Sequence, residues 1–394
     1  MTVVSRHYVL AAGGTGGHLI PAFALAVELE RRGHHVALIT DERGTAIPGK
    51  PASLTAHVLP AGRLAGFNPL SWIGGLRAIW EGRAMALRLF ESFEPSAVVG
   101  FGGYPAFPAL LAATKAGLPT IIHEQNAVLG RVNRRLAGRV DAIATSFSWV
   151  DRLPDKHLGK TTLVGNPVRV EVLALRDKPF PTFTREAPFR ILVTGGSQGA
   201  RVLSEVVPDG LAMLPLALRS RLQVTQQCRP EDIDAVRKRY ADHEIPAELS
   251  TYFEDMAGRL ADTHLFIGRA GASTIAELTA VGRPAILIPL PIATDDHQAA
   301  NVREIVTAGG ARAIRQDRFS AAELAKQIQA MSLHPETLGN AAHGAWNCGY
   351  PKAASDLADL VESFGAAPLM DVIRMGGSEV RATTSEALAR DGAQ

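Results

Sequence analysis

A histidine directly behind a run of glycines is the first place in this chain where chemistry is to be expected. Gly13, Gly14, Thr15, Gly16 and Gly17 precede His18, between an apolar strand pattern at 8–12 and an apolar-periodic helix that begins near Leu19. A glycine-rich strand-to-helix turn presents backbone N–H groups at the positive end of a helix dipole, a setting that favours an anion such as phosphate. Imidazole, with an ordinary pKa of about 6.5, is mostly a free base at neutral pH and is a candidate to take a proton. The two together point to chemistry on a phosphorylated substrate. The turn is not a dinucleotide fingerprint, because counting G-x-G-x-x-G from Gly14 puts Leu19 at the third glycine, and no G-x-x-x-x-G-K-[ST] string occurs. Taken alone, it could also be the tight βα turn of any doubly wound protein.

A second copy argues against that plain reading. An apolar pattern at 190–194 runs into Gly195, Gly196, Ser197, Gln198, Gly199, Ala200 and Arg201, so a glycine-rich strand-to-helix turn stands near the start of each half. More polar clusters follow apolar runs: Phe101 to Pro105, His123-Glu124-Gln125-Asn126, Gly268 to Glu277, and Asp295-Asp296-His297-Gln298 on to Asn301. The ends of parallel strands are where the sites of open α/β sheets lie.

These clusters need elements to position them. Short apolar runs at 36–39, 97–99, 120–122 and 142–144, and then at 222–224, 265–267, 285–288 and 311–314, alternate with helical patterns. That alternation predicts βαβ units and one doubly wound parallel sheet in each half. Gly33 suits the end of the first helix. Residues 163–169 close the first half, and the proline-bearing segment 178–182 reads as a linker. The expected division is an N-terminal Rossmann-like domain at 1–165, a second at 166–345, a C-terminal helix at 346–366 that returns to the first domain, and a disordered tail at 367–394.

Composition narrows the class. The chain has 394 residues, enough for about two or three domains. Its 46% hydrophobic and 20% charged residues are those of an ordinary globular protein, and a net charge of +2 gives no argument for nucleic acid. Cys228 and Cys348 are far apart and have no metal-ligand spacing. No signal-peptide pattern opens the chain, and no run of about eighteen apolar residues occurs, so the expected location is cytoplasmic with any membrane contact peripheral.

Read in order, GGTGGH, FGGYP, HEQN, GNPVR, GGSQGAR, the GRAGAST-IAE turn and HQAAN resemble the peptidoglycan N-acetylglucosaminyltransferases of glycosyltransferase family 28, over nearly the whole chain up to the tail. The resemblance implies a GT-B fold, with two Rossmann-like doubly wound parallel-sheet domains facing a cleft. It implies an inverting, metal-independent transfer of N-acetylglucosamine from UDP-N-acetylglucosamine (UDP-GlcNAc) to lipid I, giving lipid II for cell-wall synthesis, without a cofactor. The partners it implies are UDP-GlcNAc, lipid I, the cytoplasmic face of the inner membrane and other cell-wall synthesis proteins, and not nucleic acid.

Carried over position by position, Thr15, Gly16 and Gly17 look like the loop facing the sugar and acceptor, and Asn126 like a donor contact. Arg169 and Ser197 match positions that hold the donor, Ser197 near its diphosphate. Phe253 matches a residue of the uracil pocket, and Glu277 the carboxylate that accepts the ribose hydroxyls. Gln298 matches a sugar contact, and Ala272, Ser273 and Thr274 belong to the same donor-binding turn. His18 is the candidate base for the acceptor hydroxyl, with Glu124 or a substrate-assisted route as alternatives. Plainer roles exist for several of these. Thr274-x-x-Glu277 is also a capping-box pattern, Asn126 could be a turn residue, Arg169 a surface cation and His123 structural, while Asp295 and Asp296 read as a solvated loop. FGGYP is followed by more proline and aromatic residues than the family pattern leads one to expect.

Trp72, Ile73, Leu76, Ile79, Trp80 and Leu87 recur at helical spacing among Arg63, Arg77, Arg83 and Arg88, and Arg83 falls inside the apolar arc. Such a mixture suits docking on an anionic lipid surface, while a core-facing amphipathic helix is its commoner meaning. The rival readings are a related GT-B glycolipid synthase, a UDP-GlcNAc 2-epimerase and a nucleotide-sugar-binding protein that catalyses nothing.

Overall fold

The structure, a computed structural model, describes residues 5–59, 69–196 and 199–365. Strands β1 (His7–Ala12), β2 (His35–Thr40), β3 (Thr55–Val58), β4 (Ala97–Gly102), β5 (Thr120–Glu124), β6 (Ala142–Thr145) and β7 (Thr161–Leu163) form one parallel sheet in the order β3-β2-β1-β4-β5-β6-β7. A second parallel sheet joins β8 (Phe189–Thr194), β9 (Leu222–Gln227), β10 (Ala247–Ser250), β11 (Leu265–Gly268), β12 (Ala285–Leu287) and β13 (Ala311–Ala313) in the order β10-β9-β8-β11-β12-β13. Both are doubly wound, and together they make the expected GT-B pair. In each sheet the strand order reverses at the strand that carries a glycine loop: β1 lies between β2 and β4, and β8 between β9 and β11. Loops leaving neighbouring strands diverge at such a point and open a crevice.

The central strands are apolar along their whole length because both faces are covered. On β1, Tyr8, Leu10 and Ala12 pack with Leu19, Leu25 and Leu29 of the helix Gly16–Arg31 and with Leu357 and Val361 of the helix Ala353–Gly365. Val9 and Ala11 face the other way, onto Ala86 and Phe90 of the helix Pro69–Phe93 and onto Ala109 and Leu110. The strands without a clear apolar run, β3 and β10, are sheet edges and are half exposed, so they bury too little to need one.

The first helix starts at Gly16, three residues earlier than its apolar period suggests, and Gly33 follows its end with φ +88°. Segment 178–182 is not a free linker. Phe180 lies 5.9 Å from the His264 ring, Thr182 O accepts from His264 Nε2 at 3.2 Å, and Phe183 is buried in the second core. The chain passes between lobes further back, where Val164 packs into the first core and Val168 into the second. The last described helix lies against the first lobe, with Arg32 reaching Glu362 at 2.7 Å and His34 Nε2 the same carboxylate at 2.7 Å. The tail expected at 367–394 lies outside the described residues.

Candidate active site

The loops at the carboxyl ends of both sheets meet between the lobes. On the first lobe Gly13, after β1, packs against Gly103 and Pro105, after β4, with no space for a side chain at either glycine. A Cβ on Gly13 would stand 2.4 Å from Pro105 Cγ, and one on Gly103, at φ +80°, only 2.5 Å from Gly13 O. The proline that follows FGGY therefore has a local reason, since Pro105 covers Gly13. Gly102 makes room for His18, whose Cε1 would be 3.1 Å from a Cβ placed there.

The first glycine loop is not the open anion seat that its composition suggests. Gly14 N–H donates to Asp41 Oδ1 at 3.1 Å, and the same carboxylate takes Gly44 N–H at 2.9 Å and the Arg43 guanidinium at 2.9 Å. Burial works against the Asp41 charge, but Arg43 and the two amides outweigh it and hold the carboxyl below its ordinary range. The Arg43-paired carboxylate thus occupies the Gly14 amide, while Thr15 and Gly17 are exposed.

His18 Nδ1 lies 3.0 Å from Gln125 Oε1. Gln125 Nε2 donates to His123 O and contacts His123 Nδ1, both at 2.9 Å, and His123 Nε2 is 3.0 Å from Gly165 O. His123 is fully buried, which pushes its pKa down to about 4 and leaves it neutral. Glu124, the alternative base, is fully engaged. One carboxylate oxygen takes Asn126 N–H at 3.0 Å and Asn126 Nδ2 at 3.3 Å, the other Gly130 N–H at 2.7 Å and Asn133 Nδ2 at 2.8 Å. It organises the 124–133 loop.

On the second lobe, Thr194 Oγ1 accepts from Gly196 N–H at 3.1 Å and shapes the second glycine loop. Ser197 lies outside the described residues. Arg169 is not a free surface cation: it makes a two-pronged ion pair with Glu277 at 2.8 and 3.1 Å. Thr274 and Glu277 do not form a capping box, because the helix Ala272–Val281 is capped by Gly271 and both residues lie within its body. The Ser273 hydroxyl on its first turn is buried and finds no partner among the described residues. Ala272 packs with Ala127, Val128 and Phe147 of the first lobe, so its methyl group is taken up between lobes. Phe253 is buried with the Arg259 guanidinium 4.3 Å from its ring centre. Gln298 Oε1 takes the amides of Ala270 at 3.2 Å and Leu290 at 3.0 Å and so ties together the loops after β11 and β12.

Asn126 meets the second lobe directly. Asn301 Nδ2 donates to Asn126 Oδ1 and to Ala270 O, each at 3.2 Å, while its Oδ1 takes Ala127 N–H at 2.8 Å. Asp295 is not a solvated loop residue either, since Arg134 and Arg152 of the first lobe bind it at 2.7 and 2.9 Å. Beyond it stands His297, whose Nδ1 is buried and finds no partner among the described residues. Burial and the nearby His18 lower its pKa against the pull of Asp296 and Asp295. Among the described residues no three His, Cys, Asp or Glu side chains are grouped as a metal site. The roles of Gln125, Asn301 and His297 had no separate signal in sequence beyond their places in HEQN and HQAAN.

Residues 8–145 match the glycosyltransferase family 28 N-terminal domain and residues 190–361 its C-terminal domain. The chain belongs to glycosyltransferase family 28. A protein of Novosphingobium aromaticivorans named UDP-N-acetylglucosamine--N-acetylmuramyl-(pentapeptide) pyrophosphoryl-undecaprenol N-acetylglucosamine transferase is 77% identical and covers 99% of this chain and 100% of its own length. A protein of the same name from Erythrobacter litoralis is 72% identical over 100% of this chain and 98% of its own. The crystal structure of Acinetobacter baumannii MurG superposes with a TM-score of 0.73 at 28% identity, over 91% of this chain and 99% of that one. The family's two-domain organisation accounts for the paired glycine turns, and the chain is a glycosyltransferase.

Gly102 provides a direct check on the seat of His18. Gly102→Ala, which strains a φ of +92° and crowds the imidazole, is expected to lower kcat by at least about tenfold while UDP affinity stays within about twofold. Steady-state kinetics with calorimetric titration of UDP measures both.

Proposed function

We propose that the chain transfers N-acetylglucosamine from UDP-GlcNAc to the C4 hydroxyl of the MurNAc unit of undecaprenyl-pyrophosphoryl-MurNAc-pentapeptide (lipid I), giving lipid II with inversion at the anomeric carbon. The reading draws its substrates from the names of the relatives. The observation that carries the mechanism is His18, placed on the first lobe opposite the donor-side turns of the second and, among the described residues, hydrogen-bonded through Nδ1. In this reading the acceptor hydroxyl gives its proton to the other ring nitrogen, Nε2, as its oxygen bonds to C1. The bond from C1 to the phosphate oxygen breaks, and UDP departs with the electron pair.

The donor lies on the second lobe. The turn at 195–199, with Ser197, and the start of the helix Ala272–Val281, with Ser273 and Thr274, face its diphosphate. Glu277, steadied by Arg169, accepts the ribose hydroxyls, Phe253 lines the uracil pocket, and Gln298 and Asn126 lie on the sugar side. Thr15, Gly16 and Gly17 border the sugar and acceptor. The second domain at 166–345 is thus the donor domain, and the first, at 1–165 with the helix within 346–366, serves the acceptor.

Among the described residues no helix is long and apolar enough to cross a membrane. We place the enzyme peripherally on the cytoplasmic face of the inner membrane, held by the helix Pro69–Phe93. Its Ala86 and Phe90 are core residues, and Leu87, expected on the docking stripe, packs against that core while Ile79 is half-buried. Trp80 is 65% exposed, the Arg83 guanidinium lies 5.2 Å from its ring centre, and Arg77 is exposed. An aromatic ring beside cations fits the headgroup layer of anionic lipid. The side chains of Trp72, Ile73 and Leu76 lie outside the described residues.

Measurements of transfer, of UDP affinity and of membrane partitioning test this. With UDP-GlcNAc and a lipid I analogue and no added metal, the protein is expected to release UDP and form the disaccharide. His18→Ala should cut turnover by about 100-fold or more with UDP affinity kept, whereas Glu277→Ala should weaken UDP binding by about 1–3 kcal/mol. Turnover that survives His18→Ala overturns the base assignment. For docking, Trp80→Ser should lower partitioning onto anionic vesicles several-fold and spare activity on a short-chain soluble acceptor. Equal losses on both acceptors would assign Trp80 to folding.

A further inference from the structure

We infer that Gln125 and His123 are positioning residues which fix His18 in the tautomer with its proton on Nδ1, leaving Nε2 as the base, and which anchor that state on the backbone of the lobe junction. The inference deepens the proposed reaction and rests on the assignment of His18 as its base.

Two carbonyl groups, which can only accept, fix the direction of every bond in the row. Gln125 Nε2 lies 2.9 Å from His123 O, so that end of the amide is the NH2 group, and the other end, toward His18, is the oxygen. An amide oxygen has no proton to give. The 3.0 Å contact from His18 Nδ1 to Gln125 Oε1 therefore needs the proton on Nδ1. At the far end Gly165 O is 3.0 Å from His123 Nε2, which must carry that ring's proton. His123 Nδ1 is then bare and takes the second N–H of Gln125 at 2.9 Å. Every donor in the row meets an acceptor, and reversing any one member would set two protons or two lone pairs against each other.

The surroundings hold this arrangement in place. His123 and Gln125 are almost wholly buried, and Ser146 Oγ, which donates to Glu124 O, closes the remaining side of the His123 ring. A protonated His123 would turn a second N–H on the Gln125 amide, and burial keeps that ring neutral. Gly165, the anchor, sits at φ +83° between Val164 in the first core and Val168 in the second, and a Cβ on it would run 2.2 Å from Tyr350 Cβ. The row thus begins at the covalent junction of the lobes and ends at the imidazole that faces the second lobe.

A neutral amide suits this task better than a carboxylate. A carboxylate at position 125 would stabilise the imidazolium before substrate arrives and raise the pKa of the base. The amide brings no charge beside His18, and its bond to Nδ1–H strengthens as Nε2 takes the acceptor proton. The other titratable or charged groups about His18 are His123 from β5 and His297 from the second lobe. Beyond them are Asp41 with Arg43 beside Gly14, Tyr104 on the loop that touches the ring through Gly102, and Glu277 of the facing helix, paired with Arg169.

The test uses the full-length protein with 15N-labelled histidine and His18→Gln to assign its signals. Without any substrate, the His18 ring is expected to show a protonated Nδ1 and an unprotonated Nε2 above its titration range, and a proton on Nε2 overturns the inference. Gln125→Glu is expected to move the acidic limb of the kcat/KM profile up by about one to two pH units. UDP affinity should stay unchanged, and kcat at pH 8.5 should fall less than at pH 6.5. A limb that stays in place, in a variant with wild-type UDP affinity and melting temperature, overturns the inference. If Gln125→Glu does not fold, the wild-type tautomer measurement decides alone. Retained turnover in His18→Ala is a separate outcome that removes the base assignment, whatever the tautomer.

Discussion

The arrangement depends on one side chain that belongs to both lobes at once. Asn301 is fully buried, and its amide group is spent on three backbone or side-chain partners, two of them on the first lobe. A buried amide left without partners costs about 1–3 kcal/mol, so parting the lobes at this point exposes the penalty at once. Asn301 closes the same helix that opens with His297 and Gln298, and Gln298 in turn holds the loops after β11 and β12. The position of the second-lobe turns relative to His18 is therefore set by hydrogen bonds a few residues from the chemistry.

The two glycine turns look alike in sequence and differ in charge. The first carries the Asp41 carboxylate against its Gly14 amide, while the second is shaped by the neutral Thr194 hydroxyl. A duplicated fold thereby acquires two unlike halves, the Gly14 amide being held by an Arg43-paired carboxylate and the Gly196 amide by a hydroxyl.

Much of this was legible in the residues, and the parts that were not have a common cause. Gly13, Gly14, Gly102, Gly103, Gly195, Gly196 and Gly199 reveal themselves because close contact or positive φ excludes other residues there, and buried strands reveal themselves because both faces must be apolar. Edge strands β3 and β10 lack that pressure. The Arg169–Glu277 pair joins positions 108 residues apart, and nothing local to either residue announces it: the resemblance gave both a donor-binding role, and the residues alone also fitted a surface cation and half of a cap. The row from His18 through Gln125 to His123 was hidden for a different reason. Its members stand in quoted motifs, but which nitrogen faces which oxygen is decided by how the end of β5 turns, and only coordinates hold that information.

The strained step before His297 fits the same logic. Asp295 and Asp296 both adopt left-handed conformations, with φ of 58° and 55°, where glycine is more at ease. Glycine would relieve the backbone but leave Arg134 and Arg152 without a carboxylate to bind across the seam. An aspartate in the strained position thus converts an unfavourable turn into a tie between lobes, and the tie sits immediately before the residues that meet the imidazole and the facing turns. Flexibility in this loop would loosen His297 and Gln298 together, so the strain is held where a rigid approach of the two lobes matters most.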